Sequence, residues 1–137
     1  RDVTQAQLAA ARLEPEINTL YNILKKGEAD RGQLTSLRWQ AGYDLAMGRA
    51  TAAKVRIEGY NAILAVLKRG RLFEEKTSTV WVLQPANTID AGSTLKKLSD
   101  RAQMYLQRVM KDHAGTPWAR LAEQELETPV GWKWSER

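Results

Sequence analysis

"QLTSLRWQAGYDLAMGRATAAKVRIEGYNAILAVLKR", residues 33–69, decides the fold because it is long, regular and free of proline. Its small and apolar residues recur every three or four positions, which places them on one face of an α-helix. The stretch predicts a helix of about 37 residues, ~55 Å long at 1.5 Å per residue. Since so long a helix rarely stands alone, we expect its apolar stripe to contact a helix on each side. The stripe comprises Leu34, Leu37, Ala41, Leu45, Gly48, Ala52, Val55, Gly59, Ala62 and Val66.

The middle of this stripe is made of small residues: Gly48, Ala52, Gly59 and Ala62. A glycine inside a helix costs about 1 kcal/mol relative to alanine, so a compensating contact is expected. Close approach of another helix or of a bulky side chain is the favoured interpretation, and a ligand site or a kink at the glycines is the alternative.

An N-terminal helix is predicted to begin at Thr4, where Thr4 and Gln7 form a capping-box pattern, and to end at Gly27. Pro15 lacks the N–H that would bond four residues back, so we expect a kink there or two helices meeting at Glu14. The predicted core face comprises Leu13, Ile17, Leu20 and Leu24.

A third helix is predicted from about Ser93 to Gly115, with Asp90 and Ser93 as alternative N-caps. Its spacing predicts a single buried face. That face comprises Leu95, Leu98, Ala102, Tyr105, Leu106 and Val109.

The last helix has a firm start signal, Thr116 as N-cap followed by Pro117 at the first helical position, and should run to about Glu127. Beyond it, Trp132 and Trp134 point the same way if the tail is extended. They either form a surface for a partner or pack against the helices as a latch, and the large apolar area of tryptophan favours packing. The predicted face of the last helix comprises Trp118, Leu121, Ala122 and Leu126.

Residues 77–84 interrupt the helical pattern. "TSTVWVL", residues 77–83, is β-branched and aromatic, and Pro85 closes the run. The stretch predicts a short extended excursion over the helices, with at most a hairpin partner among residues 71–76.

Composition limits the function classes. The chain has 137 residues, 43% hydrophobic and 27% charged, with no cysteine, so one domain covering residues 1–137 with one compact core is expected, without disulfides or thiol chemistry. The net charge of +5 is spread over the whole chain. Its densest basic cluster, Lys68, Arg69 and Arg71, suits the negative pole of a helix end, with a phosphate contact as the alternative. The chain begins without Met and is expected to be a fragment or a processed product, and its compartment stays open.

Candidate chemistry is sparse. His113 is the only histidine, lies at a predicted helix end and has no nucleophile beside it, so neither a catalytic residue, a cofactor nor a metal ligand is predicted. A small-ligand site would need convergence of Arg38, Tyr43, Arg49 and Glu58. Arg49 and Arg56 could bind an anion, although surface pairs with Asp44 or Glu58 are favoured.

Two resemblances bear on function. "RWQAGYDLA" (38–46) and "HAGTPWARLA" (113–122) resemble the opening and the helix joint of a tetratricopeptide unit, without its 34-residue period. Together with "KVRIEGYNAIL" (54–64), "TVWVL" (79–83) and the closing residues 113–134, nearly the whole chain is similar to the C-terminal region of planctomycete proteins that contain a von Willebrand factor type A domain. The resemblance implies an accessory helical module in a multidomain, protein-binding molecule. It carries no metal-binding residue over to this chain.

The sequence therefore predicts an all-α domain of about four helices in antiparallel hairpins, with one extended excursion. The predicted function is a non-catalytic protein–protein interaction or scaffolding module. Its partner is another protein or other domains of the same chain, with a homodimer left open and no membrane insertion. A small-anion-binding or enzymatic domain is the alternative, and nucleic-acid binding comes third. The predicted partner surface comprises Trp132, Trp134, Arg38, Tyr43 and Arg49.

Overall fold

A computed structural model describes residues 2–70, 76–89 and 92–137 of the chain. Within these ranges the fold is mostly helical with one small antiparallel sheet, which confirms the predicted class. The four α-helices are α1 (Asp2–Lys26), α2 (Leu37–Lys68), α3 (Ser93–Asp112) and α4 (Pro117–Glu127), a 3-10 helix spans Glu28–Gln33, and the strands are β1 (Trp81–Ala86) and β2 (Gly131–Glu136).

The long helix α2 is the centre of the fold and has 32 residues. It packs against α1 and α3, which confirms the predicted helix on each side, and α4 and β2 also contact it. The helix begins at Leu37 rather than at Gln33, because Gln33 ends the 3-10 helix and Ser36 has an extended backbone. The predicted start was therefore four residues too early.

Helix α1 is continuous through Pro15, so the alternative of two helices meeting at Glu14 was wrong, and the kink stays a prediction. Proline removes one backbone hydrogen bond, and contacts with α2 hold the helix on both sides of it: Asn61 donates to Glu14 at 3.0 Å, and Lys54 donates to Asn18 at 2.5 Å. The helix also begins at Asp2, before the predicted capping box.

The buried face of α1 is rotated from the predicted one. Leu13 and Leu20 are each 53% exposed, whereas Ala10 and Tyr21 are buried. Since the main contact of α1 is with α2, only part of its apolar surface is covered. The predicted core face was thus correct for Ile17 and Leu24, which are half-buried, and wrong for the other two leucines.

Glycine lets α3 approach α2 closely. A Cβ placed on Gly48 would lie 2.7 Å from Cγ and Cδ2 of Leu106, well inside van der Waals contact. Farther along α2, a Cβ on Gly59 would lie 3.6 Å from Cδ1 of Trp132. Tight packing, the favoured interpretation of the small-residue stripe, is confirmed at Gly48, whereas a Cβ on Gly59 would make only an ordinary van der Waals contact.

In the described part of the chain, two buried clusters each join α2 to other helices. One contains Leu45, Leu106, Val109 and Ala122, with Met110, Trp118 and Leu126 packed against it. The other contains Tyr21, Met47 and Tyr105, with Leu24, Tyr43 and Leu98 packed against it. Trp118 thus faces the core as predicted. Leu121 is 41% exposed, contrary to the predicted face of α4.

Helix ends follow local chemistry. Thr116 Oγ1 accepts from the Ala119 N–H at 3.3 Å and Pro117 opens α4, as predicted. Helix α3 begins at Ser93, but Gly92 occupies the N-cap position, so Ser93 is not a cap. Asp90, the other predicted cap, lies outside the described residues.

The partner of β1 is the C-terminal tail. Strand β1 pairs antiparallel with β2, from Trp81 opposite Glu136 to Ala86 opposite Gly131. The sequence predicted at most a hairpin partner among residues 71–76. Of these, residues 71–75 lie outside the described ranges. The strand also extends through Pro85, beyond the predicted boundary.

Candidate functional site

A buried carboxylate joins three elements at the N-terminal half of α2. Asp44 is fully buried and accepts two hydrogen bonds from Arg31 of the 3-10 helix, at 3.0 and 2.6 Å, and two from Arg108 of α3, at 2.9 and 2.7 Å. Bidentate pairs of this kind fix the planes of both guanidinium groups. The hydrogen bonds to Asp44 raise the pKa of Arg31.

A second polar cluster lies beside the first. Glu28 accepts from the Tyr105 hydroxyl at 2.6 Å and from Arg101, and it pairs with Lys25 at 3.3 Å. The hydrogen bond from Tyr105 lowers the pKa of Glu28, while burial, followed by the bond to Glu28, raises the pKa of Tyr105. Because every oxygen of Asp44 is engaged and Glu28 is held by three donors, this region fastens the 3-10 helix to α2 and α3, and it offers no open site.

The free edge of the sheet is the part of β2 at Trp132 and Trp134, whose outward backbone groups have no backbone partner among the described residues. Val80 and Arg137 exchange both N–H···O bonds, each at 2.9 Å, so they form a hydrogen-bonded pair. Such pairs alternate along an antiparallel ladder. The N–H and C=O groups of Trp132 and Trp134 therefore point away from β1. Pro85 stands opposite Trp132, at a position where β1 needs no N–H for the ladder.

A groove of about 640 Å³ runs along this free edge. Its floor is the C-terminal half of α2, and the start of α3 forms the far wall. Consecutive residues 130–134 line the near wall, so the backbone edge of β2 borders the groove. The described lining residues are Val55, Gly59, Ala62, Ile63, Val66, Arg69, Ile89, Gly92, Leu95, Val130, Gly131, Trp132, Lys133 and Trp134. They are mostly apolar, with two basic side chains and no acidic one.

The two tryptophan rings anchor β2 on α2. Trp132 Nε1 donates to the Arg56 carbonyl at 3.0 Å, and its ring meets Tyr60 edge-on at 5.1 Å between centroids. Trp134 Nε1 donates to the Ile63 carbonyl at 3.4 Å, and its ring meets Trp81 edge-on at 6.1 Å. Both rings are half-buried. Of the two predicted alternatives, the rings therefore pack against the helices as a latch. Both residues also line the groove.

Arg56 fixes the turn that leads into β2. Its guanidinium donates to Glu125 at 2.7 Å and to the carbonyls of Thr128 and Pro129, each at 3.2 Å. These bonds satisfy carbonyls just after the end of α4. The predicted pairing of Arg56 with Asp44 or Glu58 was wrong, because Asp44 binds Arg31 and Arg108, and Glu58 pairs with Lys54.

The other predicted partner residues do not converge. Arg38 and Arg49 are exposed on α2. The Tyr43 hydroxyl donates to the Leu24 carbonyl at 2.7 Å, which joins α2 to the end of α1. Glu58 lies 3.1 Å from Lys54. The structure therefore does not assemble the small-ligand site of Arg38, Tyr43, Arg49 and Glu58, since their polar groups are exposed or bound elsewhere.

The remaining candidates for chemistry are His113 and the acidic side chains of the described ranges. His113 is buried as the C-cap residue of α3, and its Nε2 has no hydrogen-bond partner among the described residues. In the described ranges, no group of three or more acidic or histidine side chains is placed to hold a metal ion. None of the described helices is long and apolar enough to cross a membrane.

Comparisons of the chain with protein-family models, with curated proteins and with solved structures give no match. The resemblances to a tetratricopeptide unit and to a module accompanying a von Willebrand factor type A domain therefore stay predictions.

Proposed function

We propose that this domain is a non-catalytic interaction module that binds an extended segment of a partner protein along the free edge of β2. The observation that carries the proposal is the juxtaposition of unpaired backbone groups with an apolar groove. The N–H and C=O groups of Trp132 and Trp134 point away from β1, and residues 130–134 border the groove.

An extended peptide suits both features. In strand addition, main-chain hydrogen bonds supply affinity, and alternate side chains enter pockets. The floor under the β2 edge is formed by Val55, Ala62 and Ile63 of α2. A peptide with apolar residues at every second position would place them on this floor and expose the intervening ones.

The outer edge of β1 is less suited to the same role. Pro85 is the fifth of the six residues of that strand and provides no N–H for a neighbour. Edge prolines are a common device against unwanted strand pairing. Among the described residues, the outer edge of β1 therefore lacks one donor, whereas β2 keeps its outward donors at Trp132 and Trp134 beside the groove.

The proposal is tested by selection from a phage-displayed library of random peptides of about twelve residues, since a strand of five or six residues spans roughly 17–20 Å. Two matched variants are Trp134→Pro and Trp134→Ala. Both lose the indole ring, but only the proline removes the edge N–H, at a position where the ladder with β1 does not use it. Circular dichroism and urea unfolding first show whether both variants keep the fold.

We expect selected peptides to bind the wild type, to bind Trp134→Ala more weakly, and to bind Trp134→Pro at least about tenfold more weakly than the alanine variant. One lost hydrogen bond contributes about 1 kcal/mol, and the proline ring also hinders the incoming strand. If folded Trp134→Pro and Trp134→Ala bind alike, strand addition is wrong.

Amide hydrogen exchange gives an independent readout that needs no variant. In the free protein, the amides of Trp132 and Trp134 should exchange faster than that of Lys133, which lies in the ladder with β1. A bound strand should slow exchange at the two tryptophan amides. Binding that leaves their exchange unchanged would contradict strand addition and point to a ligand held by the groove floor alone.

A further inference from the structure

We infer that the segment bound by the β2 edge is acidic, with a carboxylate side chain opposite Lys133. This inference rests on the strand addition proposed above. Its basis is the positive charge beside the β2 edge: Arg69 and Lys133 are among the residues that border the groove, Lys133 through its backbone, and the described bordering residues include no acidic side chain.

Lys133 is placed to meet an incoming side chain. It lies between Trp132 and Trp134 and therefore points to the opposite face of β2 from their rings. Its neighbour across the ladder is Gln84, which carries no charge. Lys133 is exposed, and within the described residues it has no acidic partner. An added strand would place one side chain directly beside it on the outer face.

Arg69 extends the positive charge to the end of the groove. It follows the last residue of α2, is exposed, and lacks an acidic partner in the described part of the chain. Opposite charges on adjacent strands favour pairing, which applies to a carboxylate beside Lys133, whereas Arg69 lies on no strand and adds positive potential to the groove. A peptide with acidic residues at its outward positions is therefore favoured over a neutral or basic one, in addition to the apolar contacts with α2.

The expected preference is modest. A cross-strand ion pair changes affinity by roughly twofold to fivefold, so a glutamate opposite Lys133 should bind about threefold tighter than glutamine, and lysine there should bind more weakly than glutamine. Because both charges are exposed, most of the preference should disappear when the salt concentration rises from about 50 mM to about 500 mM.

The experiment compares wild type, Lys133→Glu and Lys97→Glu in the same peptide selection. Lys97 is exposed on α3 and does not line the groove, so its reversal changes the net charge equally without touching the site. Wild type and Lys97→Glu should enrich Asp and Glu at one outward position, and Lys133→Glu should enrich Lys and Arg there. Fluorescence anisotropy with synthetic glutamate, glutamine and lysine versions of one selected peptide then measures the preference.

The outcomes separate the two proposals. If no peptide is enriched on the wild type, strand addition itself fails. If peptides are enriched and protect the Trp132 and Trp134 amides, but the Lys133→Glu variant selects the same residues, the acidic partner alone is wrong. A charge preference that Lys97→Glu reverses as strongly as Lys133→Glu would also overturn it, because the effect would then follow net charge.

Discussion

Replacement of Asp44 by alanine tests whether the buried polar network holds the fold together. The substitution removes two carboxylate oxygens, which together accept four hydrogen bonds, and leaves the guanidinium groups of Arg31 and Arg108 facing each other without their shared counter-charge. Removing one partner of a buried ion pair typically costs 3–5 kcal/mol, because a charge stays buried without compensation. The structure indicates the lower end of this range.

The reason is partial solvent access. Asp44 is fully buried, but the Arg31 and Arg108 side chains are 22% and 32% exposed, so both can turn toward water when the carboxylate is lost. We therefore expect a loss of about 3 kcal/mol in the free energy of unfolding. With a urea m-value of about 1.5–2 kcal/mol/M, the unfolding midpoint should fall by about 1.5–2 M.

Asp100→Ala is the matched control. Asp100 pairs with Lys96 one turn away on α3, at 3.0 Å, and both side chains are more than half exposed. Such pairs contribute about 0.3–0.5 kcal/mol, so the midpoint should barely move. If Asp44→Ala loses less than about 1 kcal/mol, the network is no stronger than a surface pair, and the argument from burial is wrong.

Two further predictions concern packing and pH. Gly48→Ala should lower the free energy of unfolding by about 1–3 kcal/mol, because the new methyl group overlaps Leu106, whereas Gly42→Ala in the same helix has nothing within 4 Å and should raise it by about 0.5–1 kcal/mol. Urea unfolding of both variants checks this, and equal signs would contradict the packing argument. Since the Tyr105 hydrogen bond lowers the pKa of Glu28 below its ordinary 4.5, Glu28 stabilises the fold above about pH 4.5 and loses that effect as pH falls through the lower folded pKa. Glu28→Gln should therefore flatten the fall of the thermal midpoint between about pH 5 and pH 3, and an unchanged slope would show that other groups cause it.

Local signals predicted the helices well. The signals that start, end and repeat a helix act between residues a few positions apart, so they can be read from the sequence alone. Examples are Thr116 and Pro117 at the start of α4, Gly27 after α1 and the apolar repeat of α2. Pro15 does not divide α1 into two helices, because the free energy lost with one hydrogen bond is smaller than the free energy gained when a continuous α1 packs on α2. Tertiary contacts override local propensity in this way.

The sheet and the polar network depend on distant residues. Strand β2 lies about fifty residues after β1. The short sequence "GWKWSE" does not by itself predict a strand, because β2 is held in place by the contacts of Trp132 and Trp134 with α2. Asp44 carried a weaker signal, a carboxylate next to the apolar stripe of α2. Its partners, Arg31 and Arg108, come from other elements, so no spacing rule within α2 could identify them.

The two tryptophans near the C-terminus have separable roles for their rings and their backbone. A two-stranded ribbon is marginally stable alone, so β1 and β2 need a surface to pack on. The rings of Trp132 and Trp134 provide that attachment through the Arg56 and Ile63 carbonyls. Once the rings hold β2 against α2, its outer backbone groups are fixed beside the groove. The indoles thus position the strand, and the adjacent amides are the groups that the structure leaves for a partner.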